Sequence, residues 1–263
     1  MKPDYKNWVP TGMVVGFWIA TAFAAILSDV FAVLGFTSQT LWEIILFAVF
    51  AVLTLALLVF SVYMLIWHNT FSYTGKRQMS KHIVEGVADL VRIHAGGTCL
   101  DVGCGSGALS IAVAKRNPNA TVVGVDRWGK DYASFSRELC KKNAMAEGVK
   151  NIAFDKGDAT ALKFSDEMFD AVTSNYVYHN IPSKDRQSIL LETLRVLKKG
   201  GTFAIHDIFC KAKYGDMQAF VRKLKSMGYE KVELIDTTKG KFMSEKEAKF
   251  LFLSGSAILF GKK

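Results

Sequence analysis

The stretch "CLDVGCGSGALSIAVAKRNPNATVVGVDRW", residues 99–128, decides the fold. An apolar run ends in a loop that holds Gly103, Gly105 and Gly107, and a helical pattern leads to a second apolar run that ends at Asp126. Glycines let a backbone approach a ligand closely, and an acid about 20 residues further on commonly holds ribose hydroxyls. The stretch therefore predicts a strand, loop, helix and strand that bind a nucleotide-like ligand.

The remaining sequence repeats this alternation of strand and helix. Strands are predicted at 98–102, 121–126, 152–156, 169–175, 202–208, 232–236 and 257–260, with helices after the first, second, fourth and fifth strands, the last of them reaching Met227. An amphipathic helix over 79–94 precedes them. Such alternation predicts right-handed crossovers and a mostly parallel sheet, with the ligand beyond the carboxyl ends of the strands.

The first quarter of the chain holds most of the excess apolar residues. Half of the 263 residues are hydrophobic, which is high for a soluble domain. The run 41–67 contains one charge, Glu43, and at about 1.5 Å per residue it forms a helix of roughly 40 Å, enough to cross a bilayer. We predict a transmembrane helix there.

The other apolar run, 13–36, is interrupted by Asp29, which is costly inside a bilayer. Three interpretations compete: a second spanning helix with Asp29 near its far end, a cleaved signal peptide, or an interfacial segment. The spanning helix is favoured because the run is too long for a signal peptide and a second long run follows. The two runs then form a hairpin that turns at 35–39. Asp29 and Glu43 either face each other or a partner chain, or reach toward the interface.

The basic residues near the hairpin predict its orientation. They flank both ends and are absent from the turn, which places both termini in the cytoplasm: Lys2, Lys6, Lys76, Arg77 and Lys81. The net charge is +9, but no aromatic-interleaved basic motif indicates nucleic acid, so the lipid bilayer is the expected partner. Small residues in the first helix permit a homo-oligomer.

The four cysteines form no CxxC pair and no recognisable metal site, which favours reduced, buried thiols: Cys99, Cys104, Cys140 and Cys210. Three regions follow from these patterns. We predict a membrane hairpin at 1–70, a linker and amphipathic helix at 71–95, and a ligand-binding domain at 96–263.

Further motifs indicate which class of ligand the loop binds. Asp101 stands two residues before the first glycine, "GDA" at 157–159 ends the third strand, and "FDAVTSNYVYHNI" at 169–181 ends the fourth. These residues resemble the class I S-adenosylmethionine-dependent methyltransferases, whose loop reads acid-x-Gly-x-Gly-x-Gly. The resemblance covers about residues 79–263. It implies a Rossmann-like α/β fold with a seven-stranded, mostly parallel sheet whose last strand is antiparallel, and S-adenosylmethionine as the cofactor.

The resemblance also assigns roles to residues at the strand ends. Asp101 and the glycine loop would contact the methionine part of the cofactor, unless Asp101 only caps the turn or helix. Asp126 would accept both ribose hydroxyls. The remaining positions would border the adenine or line the methionine side: Asp158 and Ala159 for the adenine, and Asn175 for the methionine. Arg127 stands where the family often has an apolar residue, so the adenine face is assigned to Trp128.

Methyl transfer from a sulfonium requires alignment of the acceptor, exclusion of water and, where needed, removal of a proton from the acceptor. Candidates follow the fourth and fifth strands: Tyr176, Tyr178, His179, Asn180, His206 and Asp207. His179 is either a general base or a hydrogen-bonding residue of the loop. Tyr176 and Tyr178 either act in the site or pack. Because neighbouring strand residues point to opposite faces, at most one of His206 and Asp207 faces the pocket.

The acceptor is predicted from what the chain lacks and from the hairpin. No insertion is large enough to form a substrate domain, so selection falls to the helix 79–94, the segment 210–216 and the membrane. We expect a membrane-anchored methyltransferase that acts on a lipophilic or amphipathic small molecule, such as a quinone, a lipid or a hydrophobic thiol. The alternatives are a membrane-tethered sensor that binds S-adenosylmethionine without turnover, and a nicotinamide oxidoreductase, for which no pyrophosphate site is found.

Overall fold

The computed structural model describes residues 2–38, 40–129 and 134–263. The chain divides into two compact units, one formed by residues 7–80 and the other by residues 1–6 together with 81–263. Of the predicted hairpin turn, Gln39 lies outside the described residues.

The 7–80 unit is a hairpin of two long helices, α1 (Thr11–Ser38) and α2 (Leu41–Phe71). Four buried residues of α1 recur every seven positions and form one stripe toward α2: Val14, Thr21, Ser28 and Gly35. Small side chains allow close approach along this stripe. The hydroxyls of Thr21 and Ser61 lie 2.9 Å apart, and a Cβ on Gly35 would come within 3.4 Å of the Ile44 amide nitrogen.

The rest of the hairpin surface is apolar and exposed, including Ile19, Phe23 and Val52. Both helices are long and apolar enough to cross a membrane, with mean hydropathies of 2.1 and 2.9 over their most apolar windows. The α2 window is only 6% buried within the protein, unlike the core helix of a soluble domain. The two long apolar helices expected before the sheet are therefore present.

The second unit opens with α3 (Met79–Ala88). The prediction of a helix as far as residue 94 was wrong, because the chain leaves the helix at Ala88. The amides of Leu90 and Val91 donate to the carbonyls of Val87 and Ala88, three residues back, and this tight turn redirects the chain toward the sheet.

Seven strands form one sheet in the order β3-β2-β1-β4-β5-β7-β6. Only β7 runs antiparallel to its neighbours, which confirms the predicted fold. The order reverses between β1 and β4, so the ligand crevice of this fold lies at their carboxyl ends. The strands are β1 (Thr98–Val102), β2 (Thr121–Asp126), β3 (Ile152–Lys156), β4 (Phe169–Asn175), β5 (Leu197–Ile208), β6 (Lys231–Asp236) and β7 (Ser256–Lys262).

Helices cover the sheet: α4 (Ala108–Arg116), α5 (Arg137–Ala146), α6 (Arg186–Arg195), α7 (Lys211–Tyr214), α8 (Met217–Ser226) and α9 (Glu245–Phe250). A 3₁₀ turn at Tyr178–Asn180 follows β4. The single helix predicted between the fifth strand and Met227 is divided into α7 and α8 at Gly215 and Asp216. The short α9 and the 3₁₀ turn are not predicted by the sequence pattern, because three to six residues are too few to show a helical period.

Candidate active site

The glycine loop crosses the end of β2 and is held there by its backbone. The amides of Gly103 and Cys104 both donate to the carbonyl of Val125, at 2.8 and 3.0 Å. Gly103 has φ +74°, and a Cβ there would lie 2.3 Å from Cγ2 of Val177. Gly105 has φ +55°, and the nearest atoms to its added Cβ, in the Phe135 ring, would be 3.8 Å away. Gly105 therefore leaves a space that a ligand can approach.

Asp126 ends β2 with a half-buried side chain directed at this loop. One carboxylate oxygen accepts the amide hydrogen of Gly105 and the other that of Trp128, both at 2.8 Å. Each oxygen has two lone pairs, so each can also accept a hydroxyl. The ribose role assigned to Asp126 fits this geometry.

Trp128 lies beside the same loop, with its indole N–H donating to the Gly105 carbonyl at 3.0 Å. Its backbone φ is +43°, which is uncommon for a residue with a side chain. The structure thus places Trp128 against the glycine loop. The last glycine of this loop, Gly107, is the N-cap of α4. The contact of Trp128 with adenine stays a prediction.

Asp101 is only 1% exposed and joins three elements. Ser110 of α4 and Thr173 of β4 donate hydroxyl hydrogen bonds to its two oxygens, at 2.5 and 3.0 Å. Burial raises the pKa of this carboxyl to about 7, against the opposing effect of the two hydroxyls. Asp101 therefore holds the base of the glycine loop, and at neutral pH its charge is poised to respond to a nearby cation.

Asp158 and Ala159 follow β3, next to Asp126 at the end of β2. The Gly157 amide donates to the Asp126 carbonyl at 3.0 Å, which ties the two strand ends together. Asp158 accepts from the hydroxyl and the amide of Thr160, at 2.7 and 2.8 Å, and these bonds lower its pKa. The residues predicted to border the adenine and the acid predicted to hold the ribose thus lie at the same edge of the sheet.

His206, one of the predicted catalytic candidates, lies inside the sheet. It is fully buried, with Nδ1 2.8 Å from Oδ1 of Asn175 and Nε2 3.0 Å from Oγ1 of Thr237. Burial lowers the pKa of this imidazole to about 3, so it is neutral at physiological pH. Both nitrogens are engaged inside the protein, and the contact with Asn175 fits a role for His206 in positioning that side chain.

The two tyrosines after β4 have different positions. Tyr178 is a core residue: its hydroxyl lies 2.9 Å from that of Thr193, and it is fully buried. This position fits the packing alternative for Tyr178. Tyr176 is half-buried, with its hydroxyl 2.8 Å from Oγ of Ser256 and its ring 4.5 Å from that of His206. Its φ of +55° is strained for a tyrosine, as is common beside functional sites.

His179 and Asp207 form a dyad. Nδ1 of His179 lies 2.5 Å from Oδ1 of Asp207, and the side chains are 13% and 0% exposed. The backbone amides of Tyr178 and Ile208 also donate to this carboxylate, at 2.8 and 2.6 Å. A carboxylate held at Nδ1 fixes the imidazole and leaves Nε2 for a substrate. Asn180, one residue further along, is exposed.

Sequence reasoning missed Asn143 of α5 entirely. This amide is 1% exposed; it accepts from the Asp4 amide at 2.7 Å and donates to the carbonyls of Asp4 and Ser106, at 3.0 and 2.9 Å. Ser106 belongs to the glycine loop, so residues 2–6 pack on the domain through a side chain that also holds that loop. An asparagine within a helical pattern gives no signal of such a bridge.

The polar groups around the glycine loop fit a particular kind of ligand. Carboxylates and backbone groups surround the space beside Gly105. A site for a nucleotide phosphate would instead contain basic side chains or several backbone amides that point at the phosphate. Acids suit a ligand that carries a sulfonium, an ammonium group and ribose hydroxyls. The sheet order, the acid and glycine loop, and Asp126 therefore define a class I S-adenosylmethionine-dependent methyltransferase.

The family comparison agrees with this class. The methyltransferase domain family matches residues 93–249, more than half of the chain. The chain belongs to this family, whose members of the class I fold use S-adenosylmethionine as the methyl donor.

Two relatives illustrate the similarity. A demethylmenaquinone methyltransferase of Lactobacillus johnsonii is 34% identical over 44% of this chain and 45% of its own length. The ubiquinone/menaquinone biosynthesis C-methyltransferase UbiE of Desulfotalea psychrophila is 30% identical over 62% of this chain and 59% of its own. The chain spans about half the length of the curated relatives it matches.

A solved structure shows the same fold. The crystal structure of the [4+2]-cyclase SpnF superposes with a TM-score of 0.52 at 19% identity, covering 71% of this chain and 82% of that one. An enzyme called a cyclase on this fold illustrates that the reaction must be argued from the site.

Proposed function

We propose that the chain is a membrane-anchored methyltransferase that transfers the methyl group of S-adenosylmethionine to a small lipophilic acceptor. The observation that carries the chemistry is the His179 and Asp207 dyad at the carboxyl ends of β4 and β5, on the edge where the glycine loop lies. The observation that supports the membrane is the apolar, exposed surface of α1 and α2.

His179 acts as the general base in this proposal. Nε2 takes the proton from a hydroxyl of the acceptor, which makes that oxygen, or the ring carbon conjugated with it, the nucleophile, while Asp207 holds Nδ1–H and stabilises the imidazolium that forms. S-adenosylmethionine, when bound, supplies an electrophilic methyl group on a sulfonium. Tyr176 and Val177 form a wall that excludes water from the acceptor, since both are largely covered.

Quinone-like acceptors fit this arrangement. Two of the relatives are named for demethylmenaquinone and for ubiquinone/menaquinone biosynthesis. A quinol carries a hydroxyl that a histidine can deprotonate, and its apolar body partitions into the bilayer. The acceptor class proposed here is therefore a lipophilic hydroxyl-bearing ring, with other lipids and hydrophobic thiols as competitors.

The proposed organisation has two spanning helices in a region 1–70, a linker with α3 in 71–95, and the methyltransferase domain in 96–263. Both termini and the domain lie on the cytoplasmic side, supported by Lys2 and Lys6 before α1 and by Lys76, Arg77 and Lys81 after α2. The same lysine and arginine side chains would be attracted to a leaflet that contains anionic lipids.

The test uses the full chain in detergent or nanodiscs, radiolabelled S-adenosylmethionine and a total bacterial membrane extract, with products separated into organic and aqueous phases. Label in the organic phase that is absent with His179→Ala supports the proposal. Label only in the aqueous phase refutes the lipophilic acceptor. Cofactor binding without transfer to any extract favours a tethered sensor.

A further inference from the structure

The segment of residues 239–252, which precedes β7 and contains α9, has an unusual surface. Its side chains Phe250 and Phe252 are 44% and 71% exposed. Within the described part of the 81–263 unit, the other exposed large apolar side chains are three scattered methionines: Met145, Met168 and Met227. Two neighbouring phenylalanines in water are costly for a soluble surface, which suggests that they are covered in use.

The backbone directs Phe252 outward. The amide of Leu253 donates to the carbonyl of Ala248 at 2.8 Å, and that of Phe252 donates to the carbonyl of Lys249 at 3.3 Å, the pattern of a Schellman C-cap. Phe252 occupies the left-handed position of this cap, with φ +55°, where glycine is the usual residue. The cap geometry itself does not require a phenylalanine here, and it directs a ring that is 71% exposed to the surface.

Lysines precede the two rings in the sequence. Four of them are exposed in the segment: Lys239, Lys241, Lys246 and Lys249. The segment has two acids, and Glu247 is engaged in the capping box with Ser244 at the start of α9. Exposed aromatic rings preceded by lysines match the headgroup region of a bilayer, where apolar groups enter and ammonium groups meet anionic lipids.

The same segment continues into the wall of the site. The ring of Phe242 lies 5.5 Å from that of His206, and Thr237, just before the segment, holds Nε2 of His206. Ser256, just after it, lies 2.8 Å from the hydroxyl of Tyr176. One face of this chain region therefore meets the reaction site while another carries the exposed rings.

We propose that residues 239–252 dock on an anionic bilayer surface through Phe250, Phe252 and the lysines of the segment, and so hold the acceptor side of the site against the lipid. This proposal deepens the proposed function and rests on its membrane anchor. A lipophilic acceptor then passes from the bilayer to His179 without leaving an apolar environment.

Spin labels on the full chain in nanodiscs, one third phosphatidylglycerol, test the docking. Single cysteines replace Ser254 beside the patch, Met145 as a distant exposed control, and Val52 on α2, in a Cys210→Ser background. The other three cysteines are buried. The ratio of oxygen to water-soluble nickel-chelate accessibility reports lipid contact at each label. We expect a several-fold higher ratio at Ser254 than at Met145.

Phe252→Gly provides the matched variant, because glycine suits the cap and preserves or raises the melting temperature. The proposal expects the Ser254 ratio to fall toward the Met145 value in Phe250→Ser/Phe252→Gly, and in nanodiscs of phosphatidylcholine alone. Equal ratios at Ser254 and Met145, with a lipid-buried label at Val52, overturn the docking and leave the anchor intact. A water-exposed label at Val52 overturns the anchor itself.

Discussion

His179 can accept a proton from a substrate only if its Nε2 is unprotonated, and Asp207 selects that tautomer by holding Nδ1–H. We expect His179→Ala to lower kcat by about 10²-fold or more, since a general base contributes roughly 10²–10⁴-fold. The dissociation constant of S-adenosylmethionine should change little. Single-turnover kinetics and calorimetry measure the two effects.

Asp207→Asn is the companion variant, because an amide preserves the shape and can present the wrong hydrogen-bonding group to Nδ1. It should lower kcat, and because its amide group then faces one of the backbone N–H donors of Tyr178 and Ile208, the melting temperature should also fall. Full activity in His179→Ala would return His179 to a structural role in the loop.

Asp126 is expected to hold the ribose. Replacing Asp126 with Ala removes hydrogen bonds to a charged acceptor, each worth about 1.5–3 kcal/mol, so the affinity for S-adenosylmethionine should fall at least roughly tenfold. Calorimetric titration measures this, and circular dichroism verifies folding. Because Asp126 also accepts from Gly105, Asp126→Asn serves as a control that retains an oxygen for that amide. Unchanged affinity in a folded Asp126→Ala would contradict the placement of the cofactor.

We expect Asp101 to make the affinity for S-adenosylmethionine depend on pH. Burial raises its pKa to about 7, so its negative charge develops as the pH rises through neutrality. The cofactor brings a sulfonium and an ammonium group, which favour the ionised carboxylate. The affinity should therefore rise from pH 6 to pH 8, with release of a proton on binding, and Asp101→Asn should flatten this dependence. Calorimetry in buffers of different ionisation enthalpy measures the proton, and an identical pH profile in the two proteins would refute the link.

For single residues, the sequence predicts a role where a local motif indicates it. Asp126 and the glycines stand where a strand ends. The role of Asp207 is harder to predict, because alternation along β5 indicates only that Asp207 and His206 point to opposite faces of the sheet. Both are buried, and Asp207 turns back to hold a residue that follows another strand. That pairing depends on the register of β4 with β5, which single residues do not show.

At the scale of elements, the loop after β1 and the connection after β4 are fitted to each other. Gly103→Ala would place a Cβ within 2.3 Å of Val177 at a φ of +74°. Because packing and backbone strain add, this variant should unfold at a lower temperature and lose cofactor binding.

Gly103→Ala/Val177→Ala should recover part of the melting temperature, since the smaller side chain relieves the contact but not the φ. Thermal unfolding followed by circular dichroism compares the single and double variants with Val177→Ala alone. No recovery in the double variant would mean that the backbone strain accounts for the whole loss.

The boundaries of elements follow from local sequence where patterns are long. All seven strands lie where the alternation of strand and helix predicts, although β5 begins at Leu197, five residues earlier than expected. Its pairing with β4 shifts register between Phe169 and Ala171, so the added residues belong to an irregular start. The end of α3 and the short α7 and α9 depend on turns whose hydrogen bonds carry no periodic signal.

At the scale of the whole molecule, the proposed topology makes a direct prediction. Ser38→Cys in the hairpin turn should react with an impermeant maleimide from outside intact cells, and Lys76→Cys should react only after the membrane is opened. Both variants are made in the Cys210→Ser background. Labelling of both positions from the same side would refute a two-helix hairpin that spans the membrane.

The antiparallel β7 has a consequence for the time at which activity arises during synthesis. Its first residue, Ser256, contacts Tyr176, and its neighbour in the sheet is the strand that carries Asp207. The ribosome completes α2 at Phe71 and reaches Ser256 only roughly 10–40 s later, at about 5–20 residues per second. In the proposed membrane-anchored protein, the hairpin can therefore enter the bilayer while the nascent chain still lacks one support of its site, so that insertion comes before catalytic competence.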